Sequence, residues 1–267
     1  MGKPNLRNLR PALISATAVG VLLFPNQMSL AQNLSSTPVN SPTPTISQGT
    51  ATPSATATSA VSPTPSPISN ASSLTVVVNK KRPLNPINYA PANLVKPVFD
   101  TGAASNPFGL SLAKPAAKAI KLMANAMKAA GAGTLILEST YRSYSDQTAV
   151  HAKDVAKYGL AVGENLAARP GYSEHQTGLA ADVGAVGFDS CRIRVCFAKT
   201  APGMWLAANS WQFGFILRYP DGQTAITGYQ FEPWHYRYIG VDLSTAMHNA
   251  GYKTLERFLK VPDAPSY

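Results

Sequence analysis

Two short stretches of the chain carry residue types that could do chemistry together. Residues 171–182 read G-Y-S-E-H-Q-T-G-L-A-A-D and supply one imidazole, His175, and one carboxylate, Asp182. Residues 231–235, F-E-P-W-H, add a second imidazole, His235, and a second carboxylate, Glu232. Two His and one Asp suit Zn²⁺, which in catalytic sites takes three protein ligands and keeps a fourth position open for water. Glu232 is then the spare carboxylate, standing where a general base for that water belongs. A lone His is more often a satisfied core or surface residue, and His151 and His248 are read that way. His175 and His235 differ because each comes with a carboxylate and with small or bent-backbone neighbours. Spacing alone leaves the metal and the structural readings both open.

The elements that must position these groups follow from local pattern. Residues 178–183 read as a short strand entered through a turn at Gln176 and Thr177, with Gly178, Ala180 and Asp182 on one face. Small neighbours leave room beside Asp182 for a metal and a substrate. Residues 228–235 read as the strand that delivers Glu232 and His235, bent at its end because Pro233 has no N–H to donate.

The motifs S-x-H-x-x-G-x-A-x-D (Ser173, His175, Gly178, Ala180, Asp182) and E-x-W-H (Glu232, Trp234, His235) are both present in full. Together they resemble the signature of the VanY-type zinc D-alanyl-D-alanine carboxypeptidases, LAS-type metallopeptidases that trim bacterial cell-wall peptides. The resemblance extends to Y-R-S-Y-S-D-Q (residues 141–147), G-F-I-L-R-Y-P (residues 214–220) and residues 234–240, and it covers the chain from about residue 80 onward. It implies one Zn²⁺ per chain held by His175, Asp182 and His235, with Glu232 as base. It also implies that Arg142 lies beside the metal to grip a substrate carboxylate or offset a developing oxyanion. Gln147, Ser173 and Trp234 match substrate-binding positions of the family.

The N-terminal 31 residues read as an export signal. Lys3, Arg7 and Arg10 precede an apolar run over residues 11–24, too short for a comfortable membrane span, and Ser29 and Ala31 suit a cut before Gln32. An uncleaved anchor is the alternative. Residues 32–79 contain no charged residue and are rich in Ser, Thr, Ala and Pro, which predicts a disordered, polyproline-type spacer. Residues 80–267 are then one catalytic domain. Without Lys3, Arg7 and Arg10 the 23 basic residues fall to 20 against 13 acidic ones, a net of +7. That balance suits a periplasmic or wall protein near anionic polymers. No basic helix with interleaved aromatics points to nucleic acid, and a monomer without a stable membrane span is expected.

Residues 116–130 read as a helix with Ile120, Met123 and Met127 on its core stripe, residues 134–140 as a strand, and residues 146–158 as a helix capped by Ser145. Residues 202–211 read as a helix, residues 213–219 as a strand, and the tail from Ser244 as two short helices. Elements interspersed without a βαβ period predict an α+β domain with a mostly antiparallel central sheet flanked by helices. The resemblance agrees, implying a hedgehog/D-Ala-D-Ala-carboxypeptidase-like fold. Cys191 and Cys196 enclose C-R-I-R-V-C, a spacing that in an exported chain predicts a local disulfide, with a second metal site as runner-up.

The function expected is removal of the C-terminal D-Ala from peptidoglycan stem peptides. The alternatives are an L,D-carboxypeptidase acting on stem tetrapeptides, a lysostaphin-type endopeptidase, and a zinc-containing wall-binding module without turnover. The endopeptidase expects H-x-H where this chain has His235-Tyr236-Arg237. The intact Glu232 argues against the binding module.

Overall fold

The structure, a computed structural model, describes residues 68–267. The signal reading and the spacer up to residue 67 lie outside the described residues. The six strands are β1 (Leu94–Val95), β2 (Leu112–Ala113), β3 (Leu135–Ser139), β4 (Ala180–Ala185), β5 (Phe215–Leu217) and β6 (His235–Tyr238). The α-helices are α1 (Lys114–Ala129), α2 (Tyr144–Tyr158), α3 (Leu160–Leu166), α4 (Ala201–Asn209), α5 (Thr224–Thr227), α6 (Val241–Asn249) and α7 (Leu255–Phe258). Four strands form an antiparallel sheet in the order β3-β4-β6-β5, and β1 and β2 pair separately. The fold is α+β, as the interspersed elements predict.

The sheet has two chemically different faces because side chains alternate along a strand. Leu135 and Leu137 of β3, Ala181, Val183 and Ala185 of β4, and Tyr236 of β6 point into the main apolar core. Helix α1 closes that core with Ala116, Ile120, Met123 and Met127, all buried and recurring at helical spacing. The other face carries Asp182 and His235, which are paired directly across β4 and β6, and Ala180 opposite Arg237. The strand register thus places a carboxylate and an imidazole side by side.

Several expectations shift at element ends. The ordered fold begins before Lys80: Ala71, Val76, Val77 and Val78 are buried, so residues 68–79 are packed rather than spacer. Their charge-free composition hid the apolar Val triplet. Helix α2 starts earlier and is capped by Ser143, not Ser145; Ser143 Oγ accepts from Asp146 N at 3.1 Å and Asp146 accepts from Ser143 N at 3.3 Å, a reciprocal box. Gly178 is not on the strand face. It occupies a left-handed turn at φ +68°, with Leu94, Pro91 and the Ala113 backbone about its Cα, so a Cβ there would be both strained and crowded.

The largest difference concerns residues 228–234, which form turns and irregular backbone; β6 begins only at His235. Pro233 cannot join a ladder, and the Glu232 N–H is instead taken by the Tyr219 carbonyl at 3.0 Å. The tail helices begin at Val241 rather than Ser244. Among the described residues no helix is long and apolar enough to cross a membrane.

Candidate metal centre and its cleft

The turn before β4 delivers His175. A 3₁₀ segment, Glu174–Thr177, ends at the left-handed Gly178, and the His175 carbonyl accepts from Arg142 N at 3.2 Å. His175 Nδ1 lies 2.6 Å from the Thr140 carbonyl, an acceptor only, so Nδ1 carries the proton and Nε2 is left as the free donor atom. That Nε2 sits 3.2 Å from Asp182 Oδ2. His235 presents its other nitrogen: Nδ1 lies 2.9 Å from Asp182 Oδ1, while Nε2 lies 3.5 Å from Glu174 Oε2. One donor atom from each of His175, Asp182 and His235 falls within 4.8 Å of the others, and all three residues are buried. The two imidazoles meet edge to face, centroids 5.0 Å apart, and the Tyr219 ring packs on His235 at 4.8 Å.

The freed His175 Nε2, a His235 ring nitrogen and the Asp182 carboxylate, converging in a buried corner, fit a single Zn²⁺. Electrostatics agree with a corner built for a cation. Burial alone would raise the Asp182 carboxyl, but His175 and His235 outweigh it and hold Asp182 far below the usual carboxylate range. Burial disfavours a charged His235, yet its hydrogen bonds to Asp182 and Glu174 lift it to about 9. His175 is lowered by burial, against the pull of Asp182.

Glu232 borders this corner, its Oε2 3.7 Å from His235 Nδ1. Burial pushes its carboxyl up to about 8, with His235 pulling down and Asp182 pushing further up. A carboxylate raised toward neutrality is suited to taking and returning a proton. Arg142 is half-buried on the same side. Burial lowers its pKa while Asp182 and Glu232 pull the other way, and its Nε has no hydrogen-bond partner among the described residues. These groups open into a cleft of about 380 Å³ that Ser173 and Trp234 also line. Gln147 is not part of that lining. It donates from Nε2 to the carbonyl of Ala168, a lining residue, at 2.7 Å, and its buried Oε1 has no partner among the described residues.

Behind the ligands lies a buried cluster that the sequence motifs do not announce. Glu174 Oε1 accepts from Arg218 Nε at 2.8 Å and from Arg237 Nη1 at 2.7 Å. Arg218 also grips Glu256 of α7 with two bonds, 2.9 and 2.6 Å, and Glu256 accepts from Asn79 at 3.0 Å. Arg237 ends on the carbonyls of Leu74 and Val76. Burial would raise Glu174, but Arg218 and Arg237, then His235, hold it well below the carboxylate range. The one available signal is position: Glu174 stands between Ser173 and His175 in the motif, and Arg218 within G-F-I-L-R-Y-P.

Cys191 and Cys196 are joined as a disulfide with Cα atoms 5.4 Å apart, and Ile193 of their loop lines the cleft. The loop is tied to the sheet by the Arg192–Glu138 ion pair. His151 and His248 lie outside the cleft lining; His248 stacks on Trp211 at 4.1 Å and His151 stands 3.9 Å from Glu164.

A three-donor corner, a spare carboxylate and a guanidinium sharing one cleft define a site for hydrolysis. Residues 109–241 match the family described as VanY: D-alanyl-D-alanine carboxypeptidase. The Bacillus subtilis (strain 168) protein YodJ is 36% identical over 196 residues, covering 73% of this chain and 70% of YodJ. Among solved structures, the LD-carboxypeptidase LdcB aligns with a TM-score of 0.62 and 34% identity, over 71% of this chain and 87% of LdcB. The D,D-pentapeptidase VanY of the VanB-type vancomycin-resistance cassette, solved with Zn(II), aligns with a TM-score of 0.57 and 31% identity, over 70% and 98% of the two chains. The chain belongs to the VanY D-alanyl-D-alanine carboxypeptidase family, a family of hydrolases.

Proposed function

We propose that this chain is an exported zinc D,D-carboxypeptidase that removes the C-terminal D-Ala from peptidoglycan stem peptides. The observation that carries the reading is the convergence of His175 Nε2, Asp182 and His235 Nδ1 in a buried corner with Glu232 beside it. Zinc held there supplies Lewis acidity for the attacking water and the scissile carbonyl. Glu232 takes the proton from the attacking water and returns it to the leaving amine. Arg142, with an unpartnered Nε, receives the substrate's terminal carboxylate or offsets negative charge on the tetrahedral carbon's oxygen. Ser173 and Trp234 line the cleft that receives the peptide, and Gln147 braces its wall through Ala168. Export rests on the signal-like N-terminus, and residues 68–267 form the catalytic domain behind a spacer.

The second reading is an L,D-carboxypeptidase acting on tetrapeptides, favoured by the likeness to LdcB. Mass spectrometry of defined stem penta- and tetrapeptides, before and after incubation, separates the two. Loss of one D-Ala from the pentapeptide, abolished by a chelator and restored by Zn²⁺, is expected. Loss from the tetrapeptide alone makes the L,D reading correct, and full turnover in metal-free protein overturns both.

A further inference from the structure

Residues 167–173 connect α3 to the turn that carries His175, and Ala167, Ala168 and Ser173 of this segment line the cleft. The segment is neither helix nor strand, so its backbone groups need partners outside any ladder. Gln147 holds it from α2 by donating to the Ala168 carbonyl at 2.7 Å. The next residue is held by a different part of the chain. Arg169 N donates to the Tyr267 hydroxyl at 2.7 Å, a bond that spans 98 positions of sequence.

Several further contacts fix the Tyr267 side chain. Its ring carries the Arg169 guanidinium at 4.2 Å and meets Tyr172 edge to face at 5.2 Å. Lys80 Nζ lies 5.5 Å from the Tyr267 ring centroid and 5.0 Å from that of Tyr229. The Tyr267 and Tyr229 hydroxyls are 3.3 Å apart. Because the Tyr267 oxygen already accepts from Arg169, its own proton is free for Tyr229. Tyr229 lines the cleft and packs on Tyr219 at 4.7 Å, and Tyr219 in turn packs on His235. One side chain thus touches both the irregular segment and the aromatic pair of the cleft. Tyr267 lies beyond residues 109–241, the part of the chain that matches the family.

We infer that Tyr267 is a positioning residue: acting through Arg169 and Tyr229, it sets the cleft lining that the peptide substrate meets. Its kinetic consequence rests on the carboxypeptidase reading, whereas the brace itself rests only on the contacts of Tyr267. A side chain docked for stability alone would leave substrate affinity untouched at temperatures where the protein stays folded. The test is built on that difference.

Tyr267→Phe keeps the ring and removes only the hydroxyl, and Tyr267→Ala removes both. Both variants are made in the full chain, loaded with zinc and assayed well below their melting temperatures. The substrate is whichever of the stem penta- and tetrapeptides the wild type cleaves. In Tyr267→Phe, KM is expected to rise about three- to tenfold, the range of one lost hydrogen bond. In Tyr267→Ala it rises further. Because Tyr267 touches none of the reacting groups, kcat is expected to stay within about twofold, with zinc near one per chain. Hydrogen exchange over residues 167–172, read without substrate, is expected to quicken by a similar factor in Tyr267→Phe. Unchanged exchange in both variants overturns the brace. Quickened exchange with KM unchanged overturns the positioning role and leaves Tyr267 a stability contact. A fall in kcat or zinc in Tyr267→Phe overturns it too, since the residue then acts on the metal corner. If Tyr267→Ala does not fold, Tyr267→Phe still decides the outcome. Failure of the wild type to cleave either peptide sinks the carboxypeptidase reading, and with it the positioning role. Exchange then still decides the brace.

Discussion

The two sides of the metal corner are built to opposite rules. Behind the ligands, Glu174, Arg218, Arg237 and Glu256 are fully buried and bond one another at 2.6–2.9 Å. In front, Arg142 Nε has no partner among the described residues and Glu232 is held at a raised pKa beside an open cleft. Paired buried charges are held in place by each other, since removing one partner strands the others. Under-partnered charges cost stability and are kept where a ligand completes them. The carboxylates behind the corner and the one facing the cleft are therefore told apart here by their partners.

Exchanging Glu232 for Gln is the severest test of that contrast. Glu232→Gln is expected to lower turnover by roughly 10²–10⁴ while zinc stays near one per chain. His235→Ala, three residues on, is expected to lose zinc and activity together. Metal analysis beside single-turnover kinetics reads both. An emptied site in Glu232→Gln makes that carboxylate a ligand, and unchanged turnover removes it from the mechanism.

A carboxylate on the paired side responds differently. Glu174→Gln leaves Arg218 and Arg237 under-compensated and weakens the partner of His235 Nε2. Stability of the metal-free protein is expected to drop by about 3–5 kcal/mol in denaturant titration. Zinc affinity is expected to weaken about 10- to 100-fold by chelator competition. Unchanged values for both would make the cluster idle.

The pH profile sharpens the same division. Glu174 and Asp182 have folded-state pKa values below their ordinary 4.5 and 3.8, so their contribution is present above those values and is lost as pH falls below them. His235 is raised from 6.5 to about 9, so its contribution is full below 6.5 and is lost as pH rises through 9. Melting of metal-free wild type should fall off on both flanks, with the acid flank flattened in Glu174→Gln. An acid flank as steep in the variant as in wild type contradicts the assignment.

The smallest effect is expected at the cleft's outer wall. Replacing Cys191 and Cys196 by Ala opens a short loop, worth about 2 kcal/mol of stability by loop entropy. Zinc stoichiometry is expected to stay the same. Zinc loss in the double variant would tie the loop to the metal corner.

The reactive side was legible in the sequence far better than the paired side. His175, Asp182, Glu232 and His235 lie in two short motifs, where local spacing already suggests grouping. Glu174 stands inside one of those motifs, yet nothing local tells that it meets Arg218 and Arg237. That pairing depends on the β4–β6 register and on where α7 docks, both products of tertiary packing. The helices with an apolar stripe were legible because α1 repeats it over four turns. Residues 228–234 were misread because the aromatic residues Tyr229, Phe231 and Trp234 outweighed Pro233, although the proline decides what the backbone can bond.

The bond between Asn79 and Glu256 bridges 177 positions of sequence. Closing a loop of that length carries an entropic cost that the packed contact must offset. Through Arg218 and Glu174 that bond reaches the ring of His235. The metal corner is therefore braced by segments that flank it on both sides in sequence. A chain still emerging, or cut short before Glu256, holds the ligand residues without the brace that sets them. Tight metal capture thus draws on residues far from His235 in sequence.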